Sequence, residues 1–254
     1  QAGARTLISS IIPPGTAHIH GCISHAFSNL SYLVNIASLF SSIPFDFFVK
    51  TTGRSNFMES TAEQLPFLAN DLRRAVRILS LNCLTTHYAE LWNECWKNEF
   101  KEQIWTKDDP KLDKSFFKNL TSDWQITSAL RSDYSRRQAL LEIDVLVAQA
   151  LKLTLDEFLS IFQVQFPVMQ QNENETWFDQ NGRIIFTTNK GLTGVGLSRR
   201  GKGHGLTKEI GWEDVIGMDS GSVQLKIIDD TLSSGQIERT IIYEAPFTRC
   251  NRIE

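Results

Sequence analysis

The sequence predicts a mixed α/β fold: a small, partly broken sheet, a helical bundle, and a β-rich C-terminal tail. Three observations predict it. Apolar residues recur at spacings of three and four between Ser128 and Phe162. The texture changes after Pro167, where six glycines fall between Gly191 and Gly205. Beyond them, Val223 to Ile228 and Thr240 to Tyr243 read as strands joined through Ser233-Ser234-Gly235, a hairpin pattern.

Taken in order, Thr6 to Ile12 reads as a short buried strand stopped by Pro13-Pro14-Gly15. Ser24 to Phe40 has helical spacing, with Ser24 as its candidate N-cap. Phe45 to Val49 is aromatic and β-branched, so a strand is expected there. Pro66 ends any ladder near Gln64-Leu65 or places it at an edge. Asp71 to Leu84 and Tyr88 to Phe100 are helical in pattern, and the charged run 106–125 is expected to be a surface excursion. Ser128 to Leu151 is the longest expected helix. A capping box at Thr154-Leu155-Asp156-Glu157 starts a second one, which Pro167 closes. Ile184-Ile185-Phe186-Thr187 alternates poorly but is strand-rich.

The chain has 254 residues, which at roughly 150 per domain suggests one large or two small domains. The expected divide gives an α/β domain over 1–127, with the helical pair and β-rich portion over 128–254. Six Trp and sixteen Phe supply bulk for a core. A net charge of −3 means that a nucleic-acid partner would be held by a local basic surface. Cys22, Cys83, Cys95 and Cys250 show no C-x-x-C spacing, which argues against a zinc ribbon or disulfide scaffold and suits a reducing cytoplasm. No run reaches the roughly 18 apolar residues of a membrane span. Both ends read as cuts in a longer protein.

Little in the chain suggests a catalytic centre. His18 and His20, two apart on an extended segment with His25 nearby, are the nearest approach to a metal site. No carboxylate pair completes them, and turn histidines satisfied by backbone or solvent are the commoner reading. G-x-S-x-G is absent. Gly194-Val195-Gly196 lacks the third glycine of a dinucleotide loop.

Basic candidates are stronger. From Gln180 to Lys208 there are Arg183, Lys190, Arg199, Arg200, Lys202 and Lys208, with His204 and no Asp or Glu. Flexible backbone N–H groups with Arg and Lys suit phosphate oxygens, although a solvated loop has the same composition. Lys50-Thr51-Thr52-Gly53-Arg54-Ser55-Asn56 carries two cations, hydroxyls and an amide; an ordinary polar turn is its plainer reading. Arg131, Arg136 and Arg137 on the long helix suit either a nucleic-acid backbone or a solvated face.

Several segments together resemble a known family. Arg5-Thr6-Leu7-Ile8-Ser9-Ser10-Ile11-Ile12-Pro13-Pro14 is similar to the R-T-L-I-A-A-I-I-P segment that follows the catalytic domain of large adenine-specific DNA methyltransferases. These are the type IIG restriction–modification enzymes and the phage-defence methyltransferases of BREX and DISARM systems. Phe45-Asp46-Phe47-Phe48-Val49-Lys50, then Gly53 to Phe57, then Gln64-Leu65-Pro66, resembles their D-F-x-x-R/K, G-x-x-x-N/x-F and Q-L-P series. Arg137 to Ala148 with Leu153-Thr154-Leu155-Asp156-Glu157 resembles their R-A-x-L-x-A-x-I-D-A-L-V-A helix pair. The likeness covers most of residues 5–186 in order. The last seventy residues, with Gly211-Trp212-Glu213-Asp214-Val215, look most like the DISARM-type branch.

The resemblance implies a target-recognition region that binds double-stranded DNA and presents a flipped adenine to a catalytic domain of the same chain. It makes 1–127 the recognition domain. Carried over, Lys50, Gly53 and Asn56 lie in the loop where such proteins approach DNA; from composition, Thr51, Thr52 and Arg54 join them as expected DNA contacts, with Arg183, Lys190, Arg199, Arg200 and Lys202 as expected phosphate contacts. The cofactor glycine loop and the N-P-P-Y/F motif are absent, so no cofactor is expected in this chain, and S-adenosylmethionine belongs to the parent enzyme. Two rival expectations stand beside this one. One is a protein-interaction domain that docks the methyltransferase to defence-system proteins. The other is a metal-dependent hydrolase using His18, His20 and His25.

Overall fold

A computed structural model describes residues 3–19, 21–53, 57–192, 194–200, 210–230, 233 and 235–253. Helices come first in the chain: α1 (Leu30–Phe40), α2 (Ile43–Thr51), α3 (Glu59–Ala62), α4 (Leu72–Asn82), α5 (Ala89–Cys95), α6 (Asp133–Ala150), α7 (Leu155–Gln165) and α8 (Pro167–Asn174). Among the described residues the strands follow: β1 (Trp177–Phe178), β2 (Ile184–Phe186), β3 (Ser222–Asp229), β4 (Ile237–Glu244) and β5 (Thr248–Arg249). They form two small antiparallel sheets, ordered β2-β1-β5 and β3-β4. The mixed α/β class is therefore observed, with both sheets in the C-terminal portion.

The chain divides into two compact units. The first comprises Gln1–Asp108, Asp113–Arg131 and Ser135–Val168; the second comprises Asp109–Leu112, Ser132–Tyr134 and Met169–Glu254. The main divide thus falls at Val168/Met169 rather than at 127/128. The reason is that the helical pair is bonded into the first unit. Asp144 on α6 accepts the Ile43 N–H at 2.8 Å and so caps α2. Glu142, on the same helix, pairs with Arg77 of α4.

That pair is the polar centre of the first unit, with side chains 3% and 4% exposed. Arg77 also donates to Arg73 O at 2.9 Å and Ile104 O at 2.8 Å, and its guanidinium lies 5.0 Å from the Phe117 ring centre. Glu142 Oε1 accepts from the Thr106 N–H at 2.8 Å, the Thr106 hydroxyl at 2.7 Å and the Gln138 amide at 3.0 Å. Leu112, Phe117 and Leu120 are buried, so the 106–125 run is irregular but contributes core side chains. Its Phe117 ring meets Trp105 at 4.9 Å.

Two expected strands take other forms. Phe45 to Val49 lies within helix α2. Pro44 sits in its first turn, Asp46 near its positive end and Lys50 near its negative end, all of which favour a helix. Phe45 and Val49, four apart, are both buried. Thr6 to Ile12 belongs to no sheet. Three of its backbone donors are met by side chains: Asp46 Oδ1 accepts the Thr6 and Leu7 N–H groups at 2.9 Å each, and Asn82 Oδ1 accepts Ile11 N–H at 3.0 Å. Helix α1 starts at the Asn29 cap, five residues after Ser24. Pro167 opens α8 as its first residue instead of merely closing α7. The Thr154–Glu157 capping box is present.

In the second unit, Ile185, Phe186, Leu197, Trp212, Val215, Val223, Tyr243 and Phe247 form the core. Trp212 stacks on Phe186 at 5.1 Å and 5°, and lies 5.2 Å from Trp177. The expected hairpin is β3–β4, in register from Ser222↔Glu244 to Asp229↔Ile237.

Two outcomes test this packing. Glu142→Ala strands a buried guanidinium and is expected to cost about 3–5 kcal/mol in urea unfolding; a cost typical of a surface site would contradict the network. The thiols give the second test. Burial first, then the neighbouring Cys95, pushes the Cys83 thiol up to about 12, and Cys95 is raised to about 11 by burial and then Glu94. Both folded values exceed the ordinary 9.0, so this contribution to stability is intact below about pH 9 and fades as pH rises toward 12. At pH 8, a thiol reagent is expected to label exposed Cys22 rapidly and Cys83 only on unfolding.

Candidate nucleic-acid interface

The first candidate segment begins at the C-terminal end of α2. Lys50 sits in its last turn, half-buried, with its ammonium 4.8 Å from the Phe166 ring centre. The Thr51 hydroxyl donates to Phe48 O and the Thr52 hydroxyl to Val49 O, each at 2.7 Å. These are local bonds that cap the end of the helix, so neither hydroxyl proton is free for a ligand in this arrangement. Gly53 follows with φ +65°. Arg54 and Asn56 lie outside the described residues.

The second candidate segment divides by role. Arg183 is structural in its surroundings. Asp179, fully buried, takes its Nε at 3.0 Å and Nη2 at 2.7 Å, and Nη2 also donates to Ile242 O. The guanidinium lies 5.5 Å from the Tyr243 ring centre. It ties the 179–183 turn to β4 and has little left for a phosphate.

Lys190, Arg199 and Arg200 are different. All three are exposed, and they lie at the two ends of a loop that leaves β2 and returns beside it. The return is fixed by a 2.7 Å bond from Leu197 N–H to Ile185 O. Gly196 makes that approach possible. Its φ is +73°, and a Cβ there would stand 2.3 Å from Ile185 O. The glycines read in sequence as phosphate-compatible flexibility thus include one demanded by packing. Arg199 lies 5.7 Å from the Phe186 ring centre and 3.8 Å from Glu175, with its side chain 65% exposed. Lys202 lies outside the described residues.

Two of the arginines expected on the long helix bond within the first unit. Arg131, which precedes α6, donates to Leu84 O at 2.6 Å, and Arg136 on α6 donates to Leu81 O at 3.0 Å and Leu130 O at 3.1 Å. His18 meets Ser24 Oγ at 2.9 Å, and His20 lies outside the described residues. Among the described residues, no group of three His, Cys, Asp or Glu side chains is placed to hold a metal ion.

Sequence reading missed a polar cluster in the second unit. The Tyr134 hydroxyl donates to Asp109 Oδ2 at 2.7 Å and lies 3.6 Å from Cys250 Sγ. Burial first, then these hydrogen bonds, push the phenol well above its ordinary value, so it stays protonated as a donor. Beside Cys250 is a cavity of about 330 Å³ lined by Glu173, Asn174, Arg249, Cys250 and Asn251. Glu173 pairs there with Arg252 at 2.9 Å. Residues 109, 134 and 250 share no spacing signal, so only folding reveals the group.

Among the described residues, no single helix is long and apolar enough to cross a membrane; α1 and α2 reach that length only together, across a 69° bend. Compared with protein families, curated proteins and solved structures, the chain matches none.

Gly196→Ala is expected to destabilise the second unit by more than about 2 kcal/mol, through positive φ and backbone overlap. Thermal unfolding followed by Trp fluorescence would show it, since Trp212 packs in the same core. A variant as stable as the parent would contradict the close approach.

Proposed function

We propose that this chain is the target-recognition portion of a site-specific adenine-N6 DNA methyltransferase of the restriction–modification or phage-defence kind, binding double-stranded DNA without itself catalysing methylation. The observation that carries the reading is the exposed Lys190–Arg200 loop in a sequence stretch free of carboxylates. Exposed guanidinium and ammonium groups on a glycine-bearing loop suit phosphate oxygens, whose neutralisation releases counterions. The ordered resemblance over residues 5–186 supplies the family context. Lys50 at the end of α2 remains a candidate contact, together with Arg54, Asn56 and Lys202. On this reading S-adenosylmethionine is bound by a catalytic domain of the parent chain, and free thiols suit a cytoplasmic setting.

A second reading rests on the β3–β4 hairpin. Residues 222–244 hold four carboxylates (Asp229, Asp230, Glu238, Glu244) against two cations (Lys226, Arg239). Ile228 is 70% exposed and Ile242 43%. An acidic ribbon with exposed isoleucines repels phosphate and suits a protein surface, such as that of a defence-system partner.

The test is anisotropy titration of this chain with a duplex across a salt series. The Lys190→Ala/Arg199→Ala/Arg200→Ala variant should bind more weakly and lose roughly 0.9 of the log–log salt slope for each phosphate contact removed. Unchanged affinity and slope in this variant would remove the loop from the interface. No duplex binding by the parent chain, with binding to a defence protein, would favour the second reading.

A further inference from the structure

Arg74, in the first turn of α4, is 1% exposed. Its Nη2 donates to Ala69 O at 2.6 Å and to Asn35 Oδ1 at 3.1 Å. Its Nε and Nη1 have no hydrogen-bond partner. Arg77, one turn along the same helix, shows a satisfied alternative: a carboxylate and two carbonyls share its donors. Arg74 has carbonyl and amide oxygens only. Asp71 acts on it through charge alone, because its carboxylate accepts the Arg73 guanidinium at 2.7 Å and the Arg73 N–H at 2.8 Å. A guanidinium keeps its proton, so a cation is buried here with two donors unused. Buried groups of that kind call for a partner, and the partner that suits a cation is an anion.

What lies around it narrows the anion. The segment 66–70 meets Arg74 through Ala69 O, and its Leu68 O accepts from the Asn35 amide at 2.7 Å. Phe67, in that segment, is 61% exposed and meets Tyr32 edge-on, with ring centres 5.8 Å apart at 82°. Tyr32 is 48% exposed and one turn before Asn35 on α1. An exposed aromatic pair therefore flanks the Asn35–Leu68 contact that borders the unfilled guanidinium. A phosphate beside a flat ring system is the chemistry of one nucleotide.

We propose that Arg74 and Asn35, with the Tyr32–Phe67 pair, form a site for a single unstacked nucleotide of a DNA strand. The phosphate takes the place of Ala69 O on Nη2, a second phosphate oxygen engages Nε on the same edge of the guanidinium, and the base stacks on the exposed aromatic rings. Arg74 is 1% exposed, so occupation requires the 66–70 segment to lift. The site rests on the DNA reading for the source of its phosphate; as an anion site it stands apart from it.

The experiment has two arms. In the first, the chain is melted in inorganic phosphate against chloride of equal ionic strength. The expected result is a saturable rise in Tm with phosphate. Arg74→Met should lose that rise and melt higher than the parent in chloride, because an unpaired buried charge is gone. No saturable rise in the parent protein overturns the site, as does an equal rise in both, and the parent measurement decides the matter even if the variant does not fold. In the second arm, anisotropy measures a short single-stranded oligothymidine and a duplex. Phe67→Ala should weaken the single strand about tenfold, as one lost stacked base does, while leaving the phosphate effect in place. Unchanged single-strand binding overturns the base contact. A flat phosphate arm with intact duplex binding defeats this site and spares the DNA reading. A positive phosphate arm with no DNA binding defeats the DNA reading and spares an anion site for free phosphate.

Discussion

Four carboxylates removed from water hold the backbone of this protein in place. Asp46, Asp144 and Asp179 are fully buried and Glu142 is 5% exposed. An ionised carboxylate in such a setting costs several kcal/mol unless donors surround it. Each of these is surrounded. Asp46 gathers the Arg5 guanidinium and two N–H groups of the N-terminal segment; Asp144 caps α2; Glu142 joins α4, α6 and Thr106; Asp179 organises a tight turn around Arg183. Side-chain acceptors also tie down the N-terminal segment, which joins no strand. Asp46 and Asn82 accept its Thr6, Leu7 and Ile11 N–H groups in place of a ladder.

This arrangement also sorts the cations. Arg5, Arg77, Arg131, Arg136 and Arg183 are engaged with carboxylates or carbonyls of their own unit. An arginine so engaged has few donors left for phosphate, and its removal is felt first as lost stability. Lys190, Arg199 and Arg200 stand on a loop fixed to β2 by Leu197 and are exposed, with Arg199 3.8 Å from Glu175. The contrast separates arginines bonded to several groups of the fold from cations exposed on a loop. Arg74 fits neither group: it is as buried as Arg77 yet hydrogen-bonds to no carboxylate, and two of its nitrogens have no hydrogen-bond partner.

The second unit depends on a different constraint. Two-stranded and three-stranded sheets of this length bury little by themselves, and independent stability needs an apolar face packed against something else. Here Trp212, Phe186, Trp177 and Phe247 supply that face from four separate segments. Gly196 lets the loop carrying Leu197 press against β2. A loop able to present cations and a loop needed to complete the core are one piece of chain.

Elements whose signals are local can be read from the residues alone. The Thr154–Glu157 capping box, the helices at 72–82 and 155–165, the β3–β4 hairpin and the mixed α/β class were all legible, because capping, periodicity and turn chemistry act within a few residues. The glycine-rich run free of acids was legible for the same reason. Contacts between distant segments set the rest. Phe45 to Val49 reads as a strand until Asp144, about a hundred positions away, supplies a cap for a helix. Arg183 reads as a phosphate ligand until Asp179 and Ile242 occupy it, and the Tyr134–Asp109–Cys250 group has no sequence spacing at all. A side chain's composition announces that it can donate a hydrogen bond. Which acceptor is within 3 Å is settled by long-range packing, and no local pattern contains it.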